Sequence, residues 1–289
     1  MLGITLMAII TTCLAFGLIG GIITFKSPNR IKLVLFLVFL ANIPIFFFAY
    51  FGLRLPLDEI IRFLIINNDI YGFIKNFYAP ITEEASKLLV FLPLYFFRKI
   101  DFDQLHWYAF AAGLGFGTGE IWFLASVLAL DPYISSLPWY FLSGFLIERL
   151  CVCFLHGSFL YGSLYYISRK KYVYGLLYGF GFHLLTNFPI YASYVLNLQE
   201  NMIWIYLLSF WVIIMGGIMF MFTSKLYYGK LRIGYMLMGQ AECPECGSIY
   251  DRPFFGINLV ATRIERCPHC KRFHRVKDSI EKEDELALE

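Results

Sequence analysis

Hydrophobic residues fall along this chain in seven long runs, at about 2 to 25, 33 to 53, 76 to 97, 105 to 130, 139 to 167, 172 to 196 and 202 to 224. Each run approaches the ~20 residues that a helix needs to cross the hydrocarbon of a bilayer. The pattern predicts an all-α, multi-pass membrane bundle of about seven helices over residues 1–224. The first run has no basic residue ahead of it and no small-x-small cleavage site, so it reads as an anchor that stays on the chain and forms the first span. In the 54–75 connection, Leu57, Ile60, Ile61, Leu64 and Ile65 are set against Asp58, Glu59 and Arg62 at helical spacing, which predicts an amphipathic helix along the outer membrane face. The chain contains no internal repeat and no low-complexity stretch.

Charge orients this picture. The connections after runs one, three, five and seven carry Lys26, Arg30 and Lys32; Arg98 and Lys99; Arg169, Lys170 and Lys171; and Lys225, Lys230 and Arg232. The opposite side has Arg54, Arg62 and Lys75. Basic loops stay in the cytoplasm, so the N-terminus is expected outside and the C-terminal tail inside the cell. Composition agrees: 59% of residues are hydrophobic and 16% charged, against roughly 45–50% apolar in a soluble domain. A net charge of +3 with 19% aromatic residues fits bilayer interfaces and excludes a nucleic-acid partner.

After run seven the chain changes solvent. Residues 225–240 read as a juxtamembrane linker, 241–277 as a small β unit and 278–289 as an acidic tail. Cys13, Cys151 and Cys153 lie in apolar runs as small hydrophobes, whereas Cys243, Cys246, Cys267 and Cys270 form two CxxC pairs in this polar tail. Paired CxxC motifs at this separation, with Pro and Gly in the turns, predict a zinc ribbon with four sulfur ligands. His269 and His274 are substitutes that four thiolates make unnecessary. The cytoplasmic placement disfavours a disulfide. A closed four-thiolate site is structural, and its role is to bind a cytoplasmic protein partner or dock a substrate.

The spans hold unusual polar groups. An ionisable side chain at bilayer depth costs at least a few kcal/mol, so each needs a partner or a task. Run three holds Pro80, Glu83, Glu84 and Lys87; run four, Gly113, Gly115, Gly117 and Gly119 ahead of Glu120; run five, Glu148, Arg149 and His156; run six, His183 and Asn187. At about 1.5 Å of rise per residue from the cytoplasmic ends, Glu83 and Glu120 lie about 21–22 Å deep and His156 and His183 about 17 Å. Any one of these alone fits an interhelical hydrogen bond, but together they exceed what packing requires. The i,i+4 spacing predicts a Glu83–Lys87 ion pair and points His183 and Asn187 into one space. Glu148 and Arg149, about 27–29 Å deep, read as an ordinary ion pair near the outer headgroups. The glycines predict close helix packing, and Pro80 and Pro189 bends or starts of helices.

Hydrolysis by an activated water needs a base, a group that orients it and donors for the oxyanion, and this layer contains all three. HExxH is absent, no aspartate lies in the centre of a run, and Ser143-Gly144 has Phe141 where a GxSG nucleophile motif needs glycine.

Glu83-Glu84-Ala-Ser-Lys87 resembles the EExxK motif of the PrsW intramembrane proteases, followed as in that family by a glycine-rich segment ending in Glu120 and by runs with His156 and His183. The likeness covers roughly residues 70 to 190. His183-Leu-Leu-Thr-Asn187 is similar to the HxxxN motif of the wider superfamily of CAAX-type prenyl endopeptidases and bacteriocin-immunity proteins. Lys87 at the PrsW spacing, and Val152 where FxxxH has Phe, favour PrsW within it. The resemblance implies a glutamic-type intramembrane endopeptidase in which Glu83, oriented with His156, activates water, Glu84 supports the base, and His183 and Asn187 stabilise the oxyanion. It also implies a transmembrane protein substrate, such as a membrane-bound anti-sigma factor in regulated proteolysis. Glu120 joins the site without an assigned role, pairing with Lys87 being its plainer alternative. Three alternatives stay open: Glu84 as the base, a catalytic zinc on the same residues, and a proton-coupled transporter or channel, against which the lack of repeated halves counts.

Overall fold

The computed structural model describes residues 2–96, 100–196, 198, 202–228, 240–253, 256–258 and 262–277. Arg98, Lys99, Lys230, Arg232, Phe254, Phe255, Leu259, Val260 and the acidic tail lie outside them. The chain divides into two units, Met1–Thr223 and Ser224–Glu289.

The first unit is helical. Helices α1 (Leu2–Ala15) and α2 (Gly21–Lys26) are joined without a break by the π-helical turn Phe16–Gly20. Helices α3 (Lys32–Phe47) and α4 (Leu55–Leu64) are joined likewise through Phe48–Arg54, just after Pro44, which lacks the N–H that a regular turn would use. Then come α5 (Asn68–Leu89), α6 (Phe91–Phe96), α7 (Leu105–Leu128), the short α8 (Pro132–Ser136), α9 (Ser143–Ser168), α10 (Tyr172–Val195) and α11 (Met202–Tyr228).

Among the described residues, five segments are long and apolar enough to cross a membrane: Leu2–Lys26, Asn29–Leu64, Phe102–Leu128, Trp139–Ser168 and Phe210–Tyr227. The sequence leads one to expect seven. The two remaining helices, α5 with 22 residues and α10 with 24, have the length but not the composition. Lys75, Glu83, Glu84 and Lys87 lower the apolarity of α5, and tyrosines, glycines, His183 and Asn187 that of α10.

Other expectations shift too. The amphipathic segment is not a separate connection: α4 continues the preceding span, and α5 starts at Asn68 rather than residue 76. The side chain of Asn67 accepts from the backbone N–H of Ile70 and caps that start. Asp58 of α4 then clamps onto one face of α5, accepting from the hydroxyls of Tyr71 (2.5 Å) and Tyr78, with the Lys75 ammonium 3.6 Å away. Tyr71, Lys75 and Tyr78 share that face through i,i+4 and i,i+7 spacing. Pro80 and Pro189 sit inside α5 and α10, so neither starts a helix. Helix α11 runs through Tyr228, past the expected end at residue 224.

At the centre α7 is packed between α3 and α9, and α10 bridges α9 and α5. The alternating glycines make this possible. Residues two apart on a helix point about 200° apart, so Gly113 and Gly117 face α9 while Gly115 and Gly119 face α3. A Cβ on Gly113 would lie 2.2 Å from the Gly157 nitrogen, and one on Gly115 2.1 Å from the Phe39 carbonyl oxygen. The packing role expected of these glycines holds on both faces.

The second unit carries a two-stranded antiparallel sheet, β1 (Gln240–Glu242) with β2 (Ile249–Asp251), and a three-stranded one, β3 (Ile257–Asn258), β4 (Thr262–Arg266) and β5 (Phe273–Lys277). Its apolar core is small: Ala241, Cys243, Tyr250, Cys267 and Val276. Beside it lies a buried charge cluster in which the fully enclosed Glu265 accepts from Tyr250 Oη at 2.8 Å, with Arg263 at 3.5 Å and Arg252 at 3.8 Å.

Candidate functional site

The polar residues of four helices meet where α5, α7, α9 and α10 come together. Lys87 is fully buried, and its ammonium donates to Glu84 Oε1 (2.5 Å) and to His156 Nδ1 (3.0 Å). The ring of Phe116 lies 5.0 Å from it and adds a cation–π contact. With Nδ1 accepting, His156 presents Nε2–H, which lies 3.0 Å from Glu120 Oε2. Glu120 Oε1 receives Arg149 Nη1 at 2.7 Å, and Arg149 Nη2 binds Glu148 at 2.6 Å. One chain of contacts thus runs Glu84–Lys87–His156–Glu120–Arg149–Glu148 through the helical core.

His183 joins this chain at Glu84, and Glu83 stands off from it. His183 is stacked on Phe159 and directs Nδ1 at Glu84 Oε1, 2.6 Å away. A carboxylate at Nδ1 fixes the tautomer and leaves Nε2 facing outward. Nε2 lies 3.6 Å from Glu83 Oε2, and the other oxygen of Glu83 is 3.8 Å from Arg54 Nη1. Both separations exceed a hydrogen bond, so among the described residues Glu83 has charged neighbours but no hydrogen bond of its own. Glu83, Glu120, His156, His183 and Asn187 line a cavity of about 400 Å³, while Glu84 and Lys87 stand behind its wall.

All seven residues that the sequence singles out for this site are therefore together, with different partners. Lys87 pairs with Glu84 at i,i+3 rather than with Glu83 at i,i+4, and Glu120 pairs with Arg149 rather than Lys87. Glu83 stands against His183, the histidine assigned to the oxyanion, instead of being held by His156. Arg149 is buried and belongs to the site, not to a separate pair at the headgroups. Its i,i+7 spacing to His156 was the available signal, since seven residues return a helix to nearly the same face. Arg54 and Tyr191 also line the cavity. Nothing in the local sequence announces Arg54, which reaches Glu83 across 29 positions from the end of the π-helical turn. Such turns recur at functional sites because the extra residue turns the side chains after it to a new direction.

In the second unit the two CxxC pairs form matching loops. The N–H of Cys243 donates to the Ser248 carbonyl and that of Gly247 to the Cys243 carbonyl; Cys267 with Arg272, and Lys271 with Cys267, repeat this. Gly247 and Lys271 occupy the same place, with φ of +66° and +63°. Four sulfurs and His274 converge: Cys243–Cys270 is 3.7 Å, Cys246–Cys267 3.9 Å, and His274 Nε2 is 3.3 Å from both Cys243 and Cys270. This group can bind a metal, and His274 is a member that the sequence reading set aside. Hydrogen bonding with Ser248 holds the Cys246 thiol down to about 6. Burial and the Glu265 carboxylate push the Tyr250 phenol up.

No family model, no curated protein and no solved structure matches this chain.

Proposed function

We propose that the protein is a glutamic-type intramembrane endopeptidase resembling the PrsW proteases. In this reading α5 and α10 also cross the bilayer, giving seven spans, with the C-terminal unit in the cytoplasm and holding a structural zinc. The observation that carries it is Glu83: a carboxylate free of hydrogen bonds among the described residues, facing the outward nitrogen of an imidazole anchored from behind, in a cavity inside a helical bundle.

A water placed between Glu83 and His183 gives up its proton to Glu83 and adds to the scissile carbonyl of a transmembrane substrate. The proton then passes from Glu83 to the departing amine. Asn187 and Arg54 face the same cavity and supply donors for the tetrahedral oxyanion. His156 has both nitrogens committed, to Lys87 and Glu120, so its part is to hold α5, α7 and α9 in register. Glu84 has its Oε1 occupied by Lys87 and His183 and serves as the anchor of His183 rather than as the base.

One observation favours a second reading, a zinc-dependent protease: donor atoms of Glu83, His156 and His183 lie within 4.8 Å of one another. Against it, binding a metal would take His156 from Lys87 or Glu120.

The test is cleavage of single-span membrane proteins by the purified enzyme in liposomes. Glu83→Gln and His183→Ala are expected to lower the rate at least about 100-fold, and a chelator to leave it unchanged, with Cys243→Ser marking any contribution from the cytoplasmic metal. Undiminished cleavage by Glu83→Gln would refute the assignment. Chelator-sensitive cleavage in the Cys243→Ser background would select the metalloprotease. No cleavage, together with ion flux that both substitutions abolish, would make the protein a transporter.

A further inference from the structure

The cysteine loops of the C-terminal unit offer one donor more than a tetrahedral metal can use. Zn–S bonds of about 2.3 Å and Zn–N bonds of about 2.0–2.1 Å put tetrahedral sulfurs about 3.8 Å apart and a sulfur about 3.6 Å from an imidazole nitrogen. Cys243 and Cys270, 3.7 Å apart, and Cys246 and Cys267, 3.9 Å apart, both meet the first value, and His274 Nε2, 3.3 Å from Cys243 and from Cys270, approaches the second. Cys246 competes with His274 for the remaining position.

The surroundings favour His274. It is buried, and its other nitrogen, Nδ1, faces Glu245 at 3.7 Å, while Arg272 holds that carboxylate at 2.8 Å. The 3.7 Å separation exceeds a hydrogen bond; the carboxylate lies on the side of the imidazole away from the thiols, where such groups orient metal-ligating histidines. Cys246 is exposed, with its sulfur 3.4 Å from the Ser248 hydroxyl. Donor atoms of Cys243, Cys267, Cys270 and His274 lie within 4.8 Å of one another, a group that excludes Cys246. Position also argues for it: His274 is the second residue of β5, paired with Glu265 of β4, so the sheet fixes it, whereas Cys246 sits in a loop.

We infer that this unit binds a zinc-class divalent ion through Cys243, Cys267, Cys270 and His274, leaving Cys246 as a solvent-facing thiol that electrophiles can modify while the metal stays bound. The site is then a metal centre with an adjoining modification site.

The test uses the full-length protein in detergent. Metal content and the sulfur-to-cobalt charge-transfer band of the Co²⁺ form are measured for wild type, Cys246→Ser, Cys243→Ser and His274→Gln. Cys246→Ser is expected to keep its metal and the full band intensity, Cys243→Ser to lose the metal, and His274→Gln to bind at least about 10-fold more weakly. In the wild-type zinc form, a maleimide is expected to modify Cys246, located by mass spectrometry, without releasing metal. The inference is overturned if Cys246→Ser loses one thiolate's share of the band or its metal, if His274→Gln is indistinguishable from wild type, or if modification of Cys246 expels the ion. The labelling arm needs no variant to fold.

Discussion

Replacing Glu84 by alanine should separate the residue that holds the membrane site together from the one proposed to perform its chemistry. A single oxygen of Glu84 receives Lys87 at 2.5 Å and His183 at 2.6 Å, and the Lys87 side chain has no exposed surface. Without Glu84 the ammonium keeps one nitrogen of His156 and the face of Phe116. Breaking a buried pair by removing one partner costs about 3–5 kcal/mol, because the other charge is left uncompensated. Glu84→Ala should therefore lower the unfolding free energy by about 3–5 kcal/mol. Glu83→Gln, which breaks no hydrogen bond among the described residues, should change it by less than about 1 kcal/mol. Reversible unfolding in mixed micelles, followed by circular dichroism, measures both. Adding Lys87→Met to Glu84→Ala should recover most of the loss, since both charges are then gone. The reasoning fails if Glu84→Ala stays within about 1 kcal/mol of wild type, or if the double variant is no more stable than the single one.

Two further outcomes are expected from the same geometry. Gly113→Val drives a side chain into the backbone of Gly157, which cannot rotate away, so unfolding in micelles should show a loss of about 1–3 kcal/mol or more; Gly144→Val, with nothing within 4 Å, should stay within about 0.5 kcal/mol. Arg149→Lys keeps the charge but lacks the planar fork that bridges Glu120 and Glu148, so cleavage in liposomes should fall about 10-fold, and an unchanged rate would remove Arg149 from the site.

Much of this protein could be read from its sequence, because the bilayer constrains it so strongly. Apolar length alone placed α7 and α9 to within a few residues of their observed ends, since a helix is the way a single chain satisfies its backbone in hydrocarbon. The cost of buried charge marked Glu83, Glu84, Lys87, Glu120, His156 and His183 as belonging together. The spacing of Cys243, Cys246, Cys267 and Cys270 announced a metal-binding unit.

Tertiary structure decided the pairings. Lys87 follows Glu84 by three residues and Glu83 by four, and both spacings put side chains in reach; only the positions of His156 on α9 and His183 on α10 turned Glu84 inward and left Glu83 to the cavity. Arg54 joined because the π-helical turn after Pro44 sets where the chain re-enters, and His274 because strand pairing carries it back beside the thiols. The sequence determines which groups are too costly to bury alone. The fold decides which of them meet, because hydrogen bonds and ion pairs act over about 3 Å, a distance that spacing along one helix cannot set between two.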